Sequence, residues 1–181
     1  MMMEILETQR LILRAWQNND LRDYHEFASD EQIGMMAGFK PHESLLESQI
    51  MLNIFMIQNK SWAIYHKQDN KVIGYIGLHP DTKRSNRIRC LSIGYSLNRK
   101  YWGLGIMVEA SQAVMAYVFD NLKLDLLTIY HYTDNDQSRR VIEKLGFRYD
   151  GTLRSSARLY NNMIKDEACY SMSKQEYLSR Q

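Results

Sequence analysis

A single α/β domain built on a mixed, largely antiparallel sheet is the fold class the sequence predicts, and three observations predict it. Runs of alternating or continuous apolar residues, such as RLILRAW, SWAIYH and LLTIYHY, have the length and β-branched or aromatic content of strands. Between them lie longer segments with apolar residues at helical spacing. A chain of 181 residues, 45% hydrophobic and 24% charged, can bury one sizeable core; with only Pro41 and Pro80, no linker and no internal repeat divide it. Residues 1–181 therefore read as one domain.

The elements follow in order. RLILRAW, Arg10 to Trp16, alternates as a half-buried strand does. NND, Asn18 to Asp20, supplies a helix cap, and a helix should run to about Ser29. The segment EQIGMMAGFKPHE, with Gly34, Gly38 and Pro41, reads as a loop. ESLLESQIMLNIFMIQN is a second helix, with Ser44 as cap and Glu47 three residues on. SWAIYH and KVIGYIGLHP, joined by KQDN, form an antiparallel hairpin. RIRCLSIGYSL is a further strand after the polar loop TKRSNR, and a helix from about Gly105 to Asn121 carries Ile106, Ala110, Ala113, Val114, Tyr117 and Val118 on one stripe. LLTIYHY is then a strand and DQSRRVIEKLG a helix that Gly146 ends. FRYDGTL and DEACYSM close the chain as a strand pair.

Charge and cysteine content exclude several classes of function. The balance of 23 Lys+Arg against 21 Asp+Glu leaves a net +2, which argues against a dedicated nucleic-acid binder while allowing a local basic patch. Cys90 and Cys169 lie far apart in strand-like runs, so buried free thiols in a reducing compartment are expected rather than a disulfide framework, and no metal-ligand spacing occurs. No apolar run approaches the about 20 residues needed to span a bilayer, and the start MMMEILETQR has no leader pattern. A cytoplasmic protein is expected.

The informative feature is RKYWGLGIMVEA, Arg99 to Ala110, where a strand gives way to a glycine-rich turn and then a helix. The first turn of a helix presents N–H groups without intrahelical partners and a positive dipole end, so it attracts anions. Gly103 and Gly105 would let a diphosphate approach the main chain without a Cβ in the way, at a cost of roughly 1 kcal/mol per glycine. A tight turn with no ligand is the competing reading. No GxxxxGK[ST] and no GxGxxG followed by a downstream acid occurs, so P-loop and dinucleotide folds are excluded.

A second segment, NDQSRRVIEKLGF from Asn135 to Phe147, is an amphipathic helix with Val141, Ile142 and Leu145 inward. Together with YWGLG it resembles the GCN5-related N-acetyltransferase (GNAT) superfamily. There a basic residue or Gln, two variable residues and Gly-x-Gly or Gly-x-Ala precede an Asn-led helix closing in Lys-x-Gly-Phe. Lys100 stands where Arg or Gln is usual. ETQRLILRAW and GTLRSSARLYNNMIKDEACYSMSKQEY extend the likeness to the RimJ/RimL-type branch over nearly the whole chain. Ile142 occupies the position where many members carry a Tyr proposed as acid, whereas Ser138, three residues after Asn135, matches the RimJ/RimL-like serine.

The resemblance implies a GNAT fold: about seven strands, splayed between the fourth and fifth, with about four helices. It implies transfer of an acetyl group from acetyl-CoA, without a metal, to a primary amine by direct attack in a ternary complex. The pantetheine arm would pair with the edge of LSIGY, from Leu91 to Tyr95. The N–H of Ile93 would stabilise the oxyanion, and Ser138 would assist departure of the thiolate. Cofactor contacts would come from Leu91, Ile93, Lys100, Tyr101, Trp102, Gly103, Leu104, Gly105, Ile106, Asn135, Ser138 and Arg140, with Arg139 or Arg140 toward the adenosine phosphates. Tyr101 and Trp102 read more readily as packing residues.

The resemblance breaks at the base. Where relatives carry Glu-Ile-Gly-Tyr this chain has Ser92-Ile93-Gly94-Tyr95, so a water relay through Ser92 and Tyr95, or His79, Tyr75 or His131, or a neutral incoming amine, must answer for the proton. EQIGMMAGFKPHE and RSSARLYNN would wall the acceptor, with Glu31 and Glu43 available for a cation and Arg154 and Arg158 for a carboxylate or peptide backbone. Asp166 matches an acid of this branch, and Lys83, Arg84, Arg87 and Arg89 read as a solvated hairpin, with RNA or a CoA phosphate as the alternative contact. Three functions follow: acetylation of a protein N-terminal amine, acetylation of a small amine such as a polyamine or aminoglycoside, and a catalytically weak acyl-CoA-binding module. Homodimerisation is common in the branch.

Overall fold

The computed structural model describes residues 3–85 and 87–180. Among them are eight strands in one sheet of order β1-β2-β3-β4-β5-β6-β8-β7 and six helices. In chain order these are β1 (Leu6–Glu7), β2 (Leu11–Arg14), α1 (Leu21–Ala28), α2 (Glu31–Ala37), α3 (Leu45–Gln58), β3 (Ser61–His66), β4 (Lys71–Pro80), β5 (Cys90–Leu97), α4 (Ile106–Ala116), β6 (Leu126–Tyr132), α5 (Asp136–Leu145), β7 (Arg148–Arg158), β8 (Ile164–Ser173) and α6 (Lys174–Leu178). β5 and β6 pair in parallel, from Cys90 with Leu126 to Ile93 with Ile129. The β1/β2, β2/β3, β3/β4, β6/β8 and β7/β8 pairs are antiparallel. This is the mixed α/β sheet the sequence calls for.

The expected seven strands become eight because two residues before the first expected strand, Leu6 and Glu7, pair back on Leu13 and Ile12. The expected four helices become six. EQIGMMA, expected as loop, forms α2 because the Asp30 carboxylate accepts the N–H groups of Gln32 and Ile33, and Gly38 at φ +79 stops it. The sixth helix, α6, starts on a reciprocal cap between Ser173 and Glu176. Ser44 caps α3 by accepting the Glu47 N–H, as its spacing predicts. Before α1, Asn18–Asp20 is a 3-10 turn whose Asp20 carboxylate accepts the Gln17 N–H at 2.8 Å. The helix expected to reach Asn121 is α-helical to Ala116 and widens into a π turn over Tyr117–Asn121.

The chain divides into two compact units. One comprises Met1–Gly77 and Tyr95–Ala110, the other Leu78–Gly94 and Ser111–Gln181. In the first, Trp16, Tyr24, Phe27, Ile33, Leu52 and Val72 form a buried cluster with Phe55, Tyr75 and Trp102 packed against it. Trp16 stacks on Phe55 with centroids 5.5 Å apart and meets Tyr24 edge-on at 5.3 Å, geometries that aromatic quadrupoles favour. In the second, Leu127 and Ile129 of β6 stand opposite Met172 and Tyr170 of β8, and all four are buried, as are Ile142 and Leu145 of α5.

Candidate active site

In the first unit the glycine turn is held from several sides. The Asn98 N–H donates to the Ile73 carbonyl at 2.8 Å, and the Asn98 carboxamide oxygen accepts the Lys100 N–H at 3.1 Å. Arg99–Tyr101 then makes a 3-10 turn, and Gly103 and Gly105 take φ +77 and +75 before α4 begins at the buried Ile106. Both values lie in the left-handed region that disfavours any Cβ. A Cβ built at Gly103 would meet nothing within 4 Å; one at Gly105 would meet only Arg10 Nη2, at 3.7 Å. Packing therefore does not account for the missing side chains. Backbone conformation and open space ahead of a helix N-terminus do, and that combination fits a diphosphate against main-chain N–H groups.

A clamp that the sequence reading missed fixes this turn. Arg10 donates from Nη1 to the Leu104 carbonyl at 2.9 Å and from Nε to Glu109 at 2.6 Å. Glu109 also accepts the Arg10 N–H at 2.9 Å and the Thr8 hydroxyl at 2.6 Å. Burial raises the Glu109 pKa, but these donors outweigh it and hold the carboxyl below its ordinary value. The available signal was a carboxylate in the first turn of α4, where the helix dipole favours it.

The turn's own side chains are engaged in structure. The Lys100 ammonium is exposed and bonds Glu26 at 2.9 Å. Tyr101 donates its hydroxyl to Asp69 at 2.5 Å, and its phenol is raised chiefly by burial. The Trp102 indole N–H donates to the Leu97 carbonyl at 2.8 Å. Leu104 is exposed.

In the second unit, Leu91, Ser92 and Ile93 are in register with Leu127, Thr128 and Ile129, and Ile93 is buried while Leu91 and Ser92 are half-buried. β5 runs on through Tyr95 in the first unit, also half-buried. Asn135 caps α5 by accepting the Ser138 N–H at 3.0 Å, and both residues are buried. Ser138 thus sits at a fixed position in the first turn. Arg140 is exposed, and Arg139 bonds Asp136 at 2.9 Å. Ile142, on the buried side of α5, is fully buried.

The other candidates divide clearly. His79 is exposed, and a Cβ at Gly94 would lie 3.6 Å from its ring, so it borders the β5 segment that carries Ser92. His131 is buried, with Nδ1 bonding the Tyr132 carbonyl at 2.8 Å and Nε2 3.5 Å from the Tyr170 hydroxyl. Tyr75 belongs to the aromatic cluster, and burial raises its phenol to about 12. Asp166 accepts the Ser155 N–H at 2.7 Å. The basic loop is largely neutralised: Lys83 pairs with Glu167, Arg84 with Asp150 and Arg89 with Asp125. Glu43 likewise pairs with Lys40. Both cysteines are free; Cys169 is buried as expected, but Cys90 is only half-buried, because it opens β5 beside the loop. Burial is the main cause that lifts its thiol to about 11.

A polar centre that the sequence reading did not single out lies in the same unit. Asp81, just past β4, accepts the Thr128 hydroxyl at 2.6 Å, the Tyr130 hydroxyl at 2.5 Å and the Lys83 N–H at 2.7 Å. Thr128 is the residue in register with Ser92. Among the described residues no group of three His, Cys, Asp or Glu could hold a metal ion, and no helix is long and apolar enough to cross a membrane.

A model of the acetyltransferase (GNAT) domain matches residues 10–148. The chain belongs to the GNAT acetyltransferase family. The uncharacterized N-acetyltransferase YoaA of Bacillus subtilis is 31% identical over 158 residues, 84% of this chain and 88% of that protein. The putative ribosomal N-acetyltransferase YdaF of the same organism is 34% identical over 110 residues, 60% of this chain and 57% of that protein. The crystal structure of a GNAT-family acetyltransferase from Bacillus anthracis superposes with a TM-score of 0.85 at 25% identity, covering 96% of this chain and all of that one. This GNAT protein is accordingly an acetyl-CoA-dependent N-acetyltransferase.

Proposed function

We propose that this GNAT protein acetylates the N-terminal amine of a protein or peptide, as a RimJ/RimL-like member of the family working in the cytoplasm with residues 1–181 as one domain. The observation that carries the acetyl-CoA half of the reading is the pair of left-handed glycines at the N-terminus of α4, with open space where a side chain at Gly103 would stand. The acceptor half is supported by Ser138 with Ile142 in α5 and by the partial likeness to YdaF.

Acetyl-CoA supplies an activated thioester, and the residues of this chain have separable tasks toward it. N–H groups from Gly103 to Ile106 hold the diphosphate, supported by the Arg10–Glu109 clamp, while exposed Arg140 takes an adenosine phosphate. The β5 main chain pairs with the pantetheine amides where its own pairing with β6 ends, past Ile93 and toward Tyr95. The Ile93 N–H donates to the carbonyl oxygen as negative charge grows there. The Ser138 hydroxyl gives its proton to the departing sulfur; because a free thiol has a pKa of about 8.5, this helps without being indispensable. The amine attacks in its neutral form, and the proton it sheds once bonded to the acyl carbon passes to water ordered by Ser92 and Tyr95. A homodimer is expected from the branch.

The test is a thiol-release assay with acetyl-CoA against N-terminal peptides, polyamines and aminoglycosides. Peptides should be the preferred class. Faster turnover of a polyamine or aminoglycoside would move the assignment to a small amine. Acetyl-CoA binding with no release for any amine would make the protein a binding module.

A further inference from the structure

Lys83 is placed unusually for a lysine on an irregular surface segment. Its Nζ lies 3.9 Å from the centroid of the Tyr130 ring and 2.8 Å from Glu167 Oε2. The same carboxylate oxygen accepts the Ser156 hydroxyl at 2.8 Å. A cation over an aromatic face beside a carboxylate is the arrangement by which proteins recognise alkylammonium groups. The ring cannot swing away, since its hydroxyl is bound to Asp81 and Thr128 bonds the same Asp81 oxygen. Burial opposes the charge on Asp81, yet the bonds from Thr128, Tyr130 and the Lys83 N–H keep its carboxyl below the ordinary value. The neighbouring cation, Arg84, bonds Asp150 at 2.5 Å and meets Tyr130 at its hydroxyl rather than at the ring face that Lys83 covers.

We propose that the Tyr130 ring, the Glu167 carboxylate and the Ser156 hydroxyl form a subsite for a second, cationic group of the acceptor, and that Lys83 fills it as an internal stand-in. Two features of placement support this. Tyr130 and Glu167 belong to paired strands, β6 and β8, whereas Lys83 lies on the segment between β4 and β5, so the receptor is rigid and its occupant is on a loop. Tyr130 also follows Thr128 by two residues on β6, and Thr128 is in register with Ser92, so the subsite lies on the strand beside the β5 segment that carries Ser92. An acceptor whose amine approaches Ser92 and which carries an alkylammonium at some remove would displace Lys83 and take its partners. The substrate class is therefore an amine with a second positive charge, such as a peptide with a basic side chain near its N-terminus. The word acceptor rests on the acetyl-transfer reading; the cation subsite does not.

The experiment is calorimetric titration of the full chain with 1,5-diaminopentane, whose chain matches a lysine side chain, in the absence of acetyl-CoA. Lys83→Met removes the internal cation while keeping the stem, and should tighten diamine binding about tenfold. Adding Glu167→Gln to Lys83→Met should abolish that gain, with circular dichroism confirming that each variant is folded. Binding that Lys83→Met leaves unchanged or weakens, or no binding to either protein, would overturn the subsite. Because no acetyl-CoA is present, failure of acetyl transfer in the thiol-release assay would leave this result standing, and the reverse also holds.

Discussion

Replacing Gly103 by alanine separates the anion-cradle reading from that of a simple turn. At φ +77 an alanine pays for the left-handed conformation, about 1 kcal/mol. No steric cost adds to this, because the new methyl would meet nothing within 4 Å. For a chain of 181 residues, a loss of that size lowers Tm by about 2–4 °C, so the variant should fold and melt cooperatively. If main-chain N–H groups here hold a diphosphate, the same methyl stands where the ligand must approach. Acetyl-CoA affinity should then fall at least about tenfold, equivalent to about 1.4 kcal/mol. Isothermal titration calorimetry measures the affinity and differential scanning calorimetry the Tm. A Tm drop in the stated range with affinity unchanged within about twofold would refute the cradle.

Three further outcomes follow from the geometry. A Cβ at Gly74 would lie 2.4 Å from the Ser96 carbonyl oxygen and 3.0 Å from Leu97 Cα, so Gly74→Ala should cost about 3 kcal/mol in urea unfolding, in contrast to Gly103→Ala. Glu26 is held at about 2, against an ordinary 4.5, first by its bond to Lys71 and then by Lys100. Its contribution is therefore complete above pH 4.5 and is lost as pH falls through about 2. Because a third of that side chain is exposed, Glu26→Gln should cost only about 1 kcal/mol at pH 7, with the two stability curves converging near pH 2. Ser138→Ala should lower kcat about tenfold with acetyl-CoA affinity retained; complete loss of turnover with binding intact would show that the thiolate cannot leave unaided.

The sequence displayed the fold through periodicity and the site through two separated motifs, and its failures have physical causes. α3 was legible because Ser44 and the apolar spacing agree. α2 was hidden because Gly34, Gly38 and Pro41 read as breakers, while the decisive element, the Asp30 cap, depends on a side chain turned to two N–H groups. Gly103 and Gly105 were legible as backbone demands, but the clamp that holds their turn joins Arg10 to Glu109 across 99 positions of sequence, which no local pattern encodes. The basic loop illustrates the opposite error. Lys83, Arg84 and Arg89 form a charge cluster in sequence, yet each meets a carboxylate from a distant segment, so their charge is largely spent within the protein.

The same commitment of charge bears on the missing base. Near the register of Ser92, Asp81 already accepts from Thr128, Tyr130 and the Lys83 N–H, and Glu167 is bonded by Lys83 and Ser156. Tyr130, raised by burial to about 12, keeps its proton. These groups are arranged to hold charge in place rather than to collect a proton; that leaves His79, which borders the same β5 segment, as the base to test against, and without it the fraction of acceptor arriving neutral should set the rate. At pH 7 an α-amine of pKa about 8 is roughly 10% neutral, whereas a lysine amine of pKa about 10.4 is roughly 0.04% neutral, a difference of about 250-fold. That ratio favours an N-terminal amine over a side-chain amine without any contact that distinguishes them. With a peptide acceptor, kcat/KM should rise about tenfold per pH unit below pH 7 and level off near pH 8, following the peptide's own amine. A plateau already reached at pH 6 would require a base on the protein and would refute this account.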